Sequence, residues 1–318
     1  MDLNKRLELI KRNTAEIVTE SELKDLLRKK KNPVIYCGYE PSGSVHLGNL
    51  VTLLKLMDFE KAGFKVKILL ADVHAMLNRK GDEKKIKKEA ELWKKTIKAL
   101  GLKTEIILGS DFELKKEYQL EVMGLAQHST INQGLRSMQE VARDIENATI
   151  SQLWYPLMQV VDIKFLNVDV ALGGLEQRKI HMFGKENSKI LKHDFIAVHT
   201  PLILSLKGEG KMSKSIPGSG ISLTDSYDEI KKTIKEAFCP EKQTENNPIL
   251  QICKYIIFPI SKKLKISRDQ KFGGNIIIED YENLENIYSQ GKLHPMDLKN
   301  AVVEELEKII KPIRGKMK

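Results

Sequence analysis

Val34-Ile-Tyr-Cys-Gly-Tyr-Glu40-Pro-Ser-Gly-Ser-Val-His46-Leu-Gly48-Asn49 decides how the rest of the chain is read. Val34–Cys37 is an apolar, β-prone run of strand length. Pro41-Ser-Gly43 turns the chain out of that strand, and His46-Leu-Gly-Asn49 opens a helix. With no side chain at Gly48, a nucleotide can come close to the backbone. His46 and Asn49 sit where donors meet the positive end of a helix dipole, a natural place for phosphate. A plainer alternative has Ser44 or His46 capping the helix and Gly48 serving only packing.

Outward from this stretch, short apolar strands alternate with longer amphipathic helices as far as Ser222. Val66–Ala71, Glu105–Leu108, Val168–Ala171 and Phe195–Val198 read as further strands, and residues 47–62, 82–100 and 115–145 as helices. That alternation predicts an α/β fold, a Rossmann-like parallel sheet with helices on both faces. Sites in such sheets lie at the carboxyl ends of the strands, where strand order reverses. Gly38–Pro41, Asp72-Val-His74 and Gly173-Gly174 are the candidates there. Residues 1–222 are expected to form this domain, with a helical insertion near 110–150. Residues 223–318 are expected to form a mostly α-helical C-terminal domain, with helices over 226–238 and 298–311 and a glycine-punctuated turn at Arg268–Gly274.

The totals narrow the class. At 318 residues and 41% hydrophobic content, the chain can bury a full core. Its longest apolar runs are of strand length, too short to cross a membrane, and the N-terminus mixes charges where a leader needs an apolar centre. Cys37, Cys239 and Cys253 lack metal-type spacing and read as reduced thiols of a cytoplasmic protein. The net charge of +10 fits a lysine-rich surface or a phosphate-backbone partner.

A second motif, Gly210-Lys211-Met212-Ser213-Lys214-Ser215, lies in a loop flanked by Gly208, Gly218 and Gly220. Such a loop can close over a substrate, and two ammonium groups on flexible stems can follow charge onto a leaving group. Between the motifs, Tyr155, Gln159 and Asp162 fall at i, i+4 and i+7 of a predicted helix and share one face. The other positions of that helix are nearly all apolar, so the polar stripe is aimed inward, where a carboxylate needs a donor.

Taken in this order, the two motifs resemble the ATP-handling signatures of class I aminoacyl-tRNA synthetases. Asn49 replaces the second histidine of the family's His-x-Gly-His and still donates a hydrogen bond, though it carries no charge. The polar stripe resembles the substrate helix of tyrosyl-tRNA synthetases, and the match covers essentially the whole chain, in the short archaeal and eukaryotic form. The resemblance implies that His46, Asn49, Lys211 and Lys214 are catalytic. It implies that Tyr36 and Asp162 bind the phenol hydroxyl of tyrosine, with His74 beside them, and that Tyr155, Gln159 and Gln177 hold its α-amino group. ATP would contact Gly38, Glu40, Gly48, Gly174, Met212 and Ser213, with Glu176 at the ribose in place of the usual aspartate. Arg136, Arg178 and Lys179 would meet the acceptor end of tRNA. Phe272 and Asp297 would read the anticodon, unless Asp297 merely caps the last helix and Phe272 is core. Further implications are Mg2+ arriving with ATP, no resident metal, tRNA-Tyr as partner and a homodimer joined near 110–150. A tryptophanyl-tRNA synthetase shares both ATP motifs, but an indole has no hydroxyl for Tyr36 and Asp162. Against phenylalanine, an unpaired hydroxyl-reading site costs about 10⁵, a figure characteristic of that same family and so not an independent forecast. A catalytically silent RNA-binding relative is the alternative from another class.

Overall fold

In the computed structural model the described residues are 1–142, 145–210, 212 and 216–317. They form two compact units, Met1–Gly43 with Lys55–Pro201, and Ser44–Leu54 with Leu202–Lys318.

The first unit is built on a six-stranded sheet: β1 (Glu16–Val18), β2 (Val34–Tyr39), β3 (Lys65–Leu70), β4 (Thr104–Leu108), β5 (Val170–Gly174) and β6 (Ile196–Thr200). The spatial order is β1-β6-β5-β2-β3-β4. All neighbours are parallel except β1, a three-residue antiparallel edge on β6 that no sequence signal announced. The chain runs outward from β2 to β3 and β4, then returns to place β5 on the other side of β2. The order therefore reverses between β2 and β5, which puts a crevice at their carboxyl ends. β5 and β6 are buried at every position, as strands covered on both faces must be. In register, Tyr36 pairs with Ala171 and Ala171 with Ala197, so the three share one face of the sheet. They join one core cluster with Met158, Val160, Val161 and Ile163 of the helix Ile150–Phe165, and with Tyr118 and Val122.

Helix ends follow their local signals. Asp82 accepts from the Lys85 N–H to start the helix Glu83–Leu100, which stops at Gly101 in the left-handed conformation (φ 81°). The single helix expected over 115–145 is instead two, Lys116–Ala126 and Ile131–Met138. The Ser129 hydroxyl turns back to the Leu125 carbonyl, and Thr130 forms a reciprocal cap with Gln133. Hydroxyl side chains that bond the backbone end one helix and begin the next.

The second unit holds the helices Tyr227–Glu236 and Pro295–Lys316, among shorter ones. The last helix starts three residues before the expected 298, because the His294 ring accepts from the Met296 N–H and Pro295 suits a first helical position. β7 (Leu264–Ile266) and β8 (Ile276–Ile278) form a small antiparallel hairpin around the expected turn. Gly273 and Gly274 take positive φ there (95° and 69°).

Candidate active site

Tyr36 rises from β2, and Asp162 descends from the helix Ile150–Phe165; both are about 1% exposed. Burial, and next the charge of Asp162, push the Tyr36 phenol well above its ordinary range. Tyr118 donates to Asp162 Oδ1 at 2.7 Å and is placed within 2.9 Å of the Met158 carbonyl. The other oxygen, Oδ2, is buried without a hydrogen bond, 3.6 Å from His74 Nε2. An orphaned, desolvated carboxylate oxygen is expensive, and a neutral hydroxyl presented to it relieves that cost.

His74 lies on the short helix Asp72–Leu77 after β3, edge-on to Tyr155 with ring centroids 4.7 Å apart. Its Nδ1 is 3.3 Å from Glu113 Oε1, within ion-pair range but outside hydrogen-bond geometry. Burial opposes a charged imidazole, yet Glu113 and then Asp162 outweigh it and hold His74 up at about 9. Burial and then Glu113 also push Asp162 up, so the two groups compete for a proton. On His74 that proton faces both carboxylates at once, so the imidazolium is the form we stand behind. Among the described residues, these three are also the grouping of His and carboxylate atoms close enough to share a cation, within 4.8 Å. The imidazolium already supplies the positive charge there, which leaves a metal little to neutralise.

The crevice beside the phenol end is lined from β5. A Cβ at Gly173 would lie 2.7 Å from Gln177 Cβ, and one at Gly174 would lie 2.2 Å from Glu176 Oε2. Two glycines are therefore what lets Glu176 and Gln177 fold back over the strand end. Gln177 Oε1 accepts from Gln159 Nε2 at 3.1 Å, joining two of the expected amino-group residues. Glu40, beyond β2, accepts from Asn78 Nδ2 at 2.9 Å and lies 3.6 Å from Lys80 Nζ. Gly38 leaves the Tyr36 ring 3.7 Å from the position a Cβ would take.

In the second unit, His46 Nδ1 accepts from the Gly48 N–H at 3.1 Å, and Asn49 Oδ1 accepts from the His46 N–H at 3.1 Å. The two side chains form a reciprocal cap on the helix Leu47–Lys61, which fixes both ends of the motif. Because Nδ1 accepts, the neutral ring carries its proton on Nε2, and Asn49 keeps its amide as donor. A Cβ at Gly48 would lie 2.9 Å from His46 Cε1, so only glycine permits this ring position. His46 therefore caps the helix, as the plainer alternative expected. Met212 is buried, and its N–H donates to the Ile203 carbonyl at 3.0 Å. Lys211, Ser213 and Lys214 lie outside the described residues.

Arg136, Arg178 and Lys179 come together around a cleft of about 110 Å3. Arg178 makes a forked pair with Glu16, and Lys179 pairs with Glu140 at 3.0 Å. In the second unit, Phe272 is 60% exposed on the hairpin turn, so it is not core. Asp297 lies in the first turn of the last helix, whose cap is His294 rather than Asp297.

Sequence reasoning missed Glu113 and Tyr118. Glu113 belongs to no motif or periodic stripe, and the loop after β4 turns it inward; Tyr118 lies with Val122 and Leu125 on the buried face of the helix Lys116–Ala126, a spacing that could have found it. It also missed the buried pair His181 and His199, whose ring nitrogens are 3.0 Å apart, with His199 in turn 3.0 Å from Glu16.

A family model described as tRNA synthetases class I (W and Y) matches residues 28–311. A tyrosine–tRNA ligase of Methanosarcina barkeri is 48% identical over 97% of this chain and 98% of its own. That of Methanocaldococcus jannaschii is 46% identical over 98% and 99%. A crystal structure of the Archaeoglobus fulgidus tyrosyl-tRNA synthetase complexed with L-tyrosine superposes with a TM-score of 0.96 at 44% identity, covering 100% of both chains. With that identity over the full length, the chain belongs to the tyrosine–tRNA ligase family of class I synthetases.

Proposed function

We propose that this chain activates L-tyrosine with ATP and transfers it to the terminal adenosine of tRNA-Tyr. The tyrosine carboxylate attacks the α-phosphorus of Mg-ATP, and the α–β bridging oxygen leaves with pyrophosphate. A ribose hydroxyl of the tRNA then takes the tyrosyl group, and AMP leaves. The observation that carries the reading is the buried, unbonded Oδ2 of Asp162 beside Tyr36, an acceptor waiting for a hydroxyl hydrogen. An indole or a phenyl ring would leave it orphaned, which disfavours the tryptophan reading.

The residue roles extend that reading. Tyr36 and Asp162 take the phenol, with His74 behind them. Tyr155, Gln159 and Gln177 take the ammonium, and Gly38, Glu40, Gly174 and Glu176 take the nucleoside side of ATP. His46 Nε2, the Asn49 amide and the helix start at Gly48 meet phosphate; Lys211 and Lys214, with Met212 and Ser213, stabilise charge on leaving pyrophosphate. Attack at phosphorus needs mainly alignment and charge stabilisation, which this set supplies. Mg2+ enters with ATP as substrate. Arg136, Arg178 and Lys179 take the acceptor end; Phe272, exposed for stacking, and Asp297 take the anticodon. No helix among the described residues is long and apolar enough to cross a membrane, and we place the enzyme in the cytoplasm. It works as a homodimer joined over residues 110–150, a stretch whose apolar side chains Leu114, Leu120, Met123, Ile131 and Ile150 are all at least half exposed.

ATP–pyrophosphate exchange driven separately by tyrosine, phenylalanine and tryptophan tests this. Exchange with tyrosine alone is the expected result. Exchange with tryptophan would overturn the pocket, and RNA binding without exchange would favour the silent relative.

A further inference from the structure

The loop that follows β4 is shaped around one carboxylate. Gly109–Asp111 forms a single 3-10 turn, and the Ser110 N–H donates to Asp72 Oδ1 at 2.8 Å. Gln119 Nε2 holds the Glu113 carbonyl at 2.6 Å, and the Glu113 N–H reaches the Gly109 carbonyl at 2.8 Å. A Cβ at Gly109 would lie 2.4 Å from Glu113 Oε1, so this glycine makes the room into which the side chain folds. Glu113 is thereby fully buried, with both carboxylate oxygens lacking a hydrogen bond. Such a placement costs stability unless a charge faces it, and the charge that faces it is His74, 3.3 Å away. His74 in turn faces Asp162 across its other nitrogen. The result is a buried chain of carboxylate, imidazole and carboxylate, ending at the phenol-reading oxygen.

We infer that Glu113 is a positioning residue for the phenol site, holding His74 as an imidazolium so that Asp162 meets the substrate hydroxyl as an ionised acceptor. The inference rests on the tyrosine reading proposed above. An imidazolium here has a carboxylate oxygen facing each ring nitrogen, at 3.3 Å and 3.6 Å, so its charge is attracted from both sides. Should His74 lose its proton to solvent, the buried Asp162 carboxylate would lose the counter-charge that offsets its desolvation and holds it in place, and would meet the phenol less well. The other titratable groups around the chain are Tyr36 from β2, Tyr118 from the helix after the loop, Tyr155 beside His74, and Glu40 beyond β2. The tyrosines stay neutral, because burial pushes each of their phenols up. Glu40 adds a further, smaller pull that keeps His74 charged.

The consequence is a pH window. With Glu113 in place the imidazolium persists to about 9. Glu113→Gln removes the larger of the two attractions and keeps the size of the side chain, so the loss of the proton moves down in pH. The test is the Kd of L-tyrosine by calorimetry from pH 6 to 10, alongside the imidazole titration of His74 by NMR, assigned through His74→Gln. For the unaltered protein we expect a flat Kd up to about pH 9 and a His74 titration near the same value. For Glu113→Gln we expect both transitions at least one unit lower, with tyrosine affinity at pH 8.5 down about threefold or more. Identical profiles in both proteins would overturn the inference. So would a shifted His74 titration with an unshifted Kd, since the charge would then not reach the substrate. A His74 titration below 7 in the unaltered protein would overturn it even if the variant failed to fold. Failed exchange with intact tyrosine binding would strike the proposed function instead, and the binding profile would still decide this point.

Discussion

Tyr118 shows what one hydroxyl does inside the pocket. It donates to Asp162 Oδ1 from a position 2.9 Å from the Met158 carbonyl, which fixes the acceptor. Tyr118→Phe is expected to cost about 1–3 kcal/mol in urea unfolding, because Asp162 loses a donor while staying buried. Tyrosine Kd should rise roughly tenfold, the effect of loosening one charge-assisted bond; an unchanged Kd would show that Asp162 holds its place without it. His74 gives a second expectation at this scale. Its folded pKa of about 9 lies above the ordinary value of about 6.5. A raised imidazole stabilises fully below its unfolded pKa, and that stabilisation is lost as pH climbs through the folded one. The urea midpoint should therefore decline between about pH 6.5 and 9, and the decline should be shallower in His74→Gln. Of these residues, Asp162 was legible from its spacing on a helix face and His74 from its place after a strand, while Tyr36 came only from the family resemblance. Glu113 was not, because its inward direction comes from a Gly109 turn that has no periodic signature, and Tyr118 was overlooked although it shares a helical stripe with Val122 and Leu125.

At the scale of elements, caps and glycines made most boundaries readable. Asp82 and Gly101 bracket a helix that spacing alone would have found, and Gly173-Gly174 marks a strand end that two side chains overlie. The break at Ser129-Thr130 escaped because apolar periodicity runs through it, while the hydroxyls that interrupt it act locally. β1 escaped because three residues carry no period. Lys55 is a further element-scale feature that sequence hides. It is 2% exposed, and its ammonium donates to the carbonyls of Leu9, Ile10 and Arg12 at the end of the helix Leu3–Lys11, with Asp58 beside it. A cation there satisfies the orphan carbonyls of a helix end and complements its dipole. Burial nevertheless brings the ammonium down to about 8. Lys55→Met keeps the apolar stem and leaves those carbonyls bare, so a loss of about 3 kcal/mol in urea unfolding is expected. A loss below about 1 kcal/mol would mean that water or a shifted backbone takes over the carbonyls.

For the whole molecule, alternating strands and helices predicted a parallel sheet followed by a mostly helical C-terminal part, and that architecture is the observed one. Association with a second copy was harder to read, because composition does not say which apolar residues a fold leaves outside. The structure does: Leu114 is 66% exposed, Leu120 56%, Met123 50%, Ile131 70% and Ile150 83%. Single exposed apolar residues are ordinary, but five within a stretch of 37 residues, one in the turn before Lys116 and four on the helices that follow, are costly to leave in water. A second copy covering this region would desolvate it, and a charge placed at its centre would be buried unpaired on both sides of a two-fold interface. Light scattering should therefore give twice the 36.3 kDa chain mass for the unaltered protein and one chain mass for the double variant Leu120→Glu with Ile131→Glu. Because these side chains are exposed within one chain, the variant's folded content by circular dichroism should be retained, separating loss of association from loss of fold. A monomer in the unaltered protein at micromolar concentration, or a dimer that survives both charges, would move the interface elsewhere.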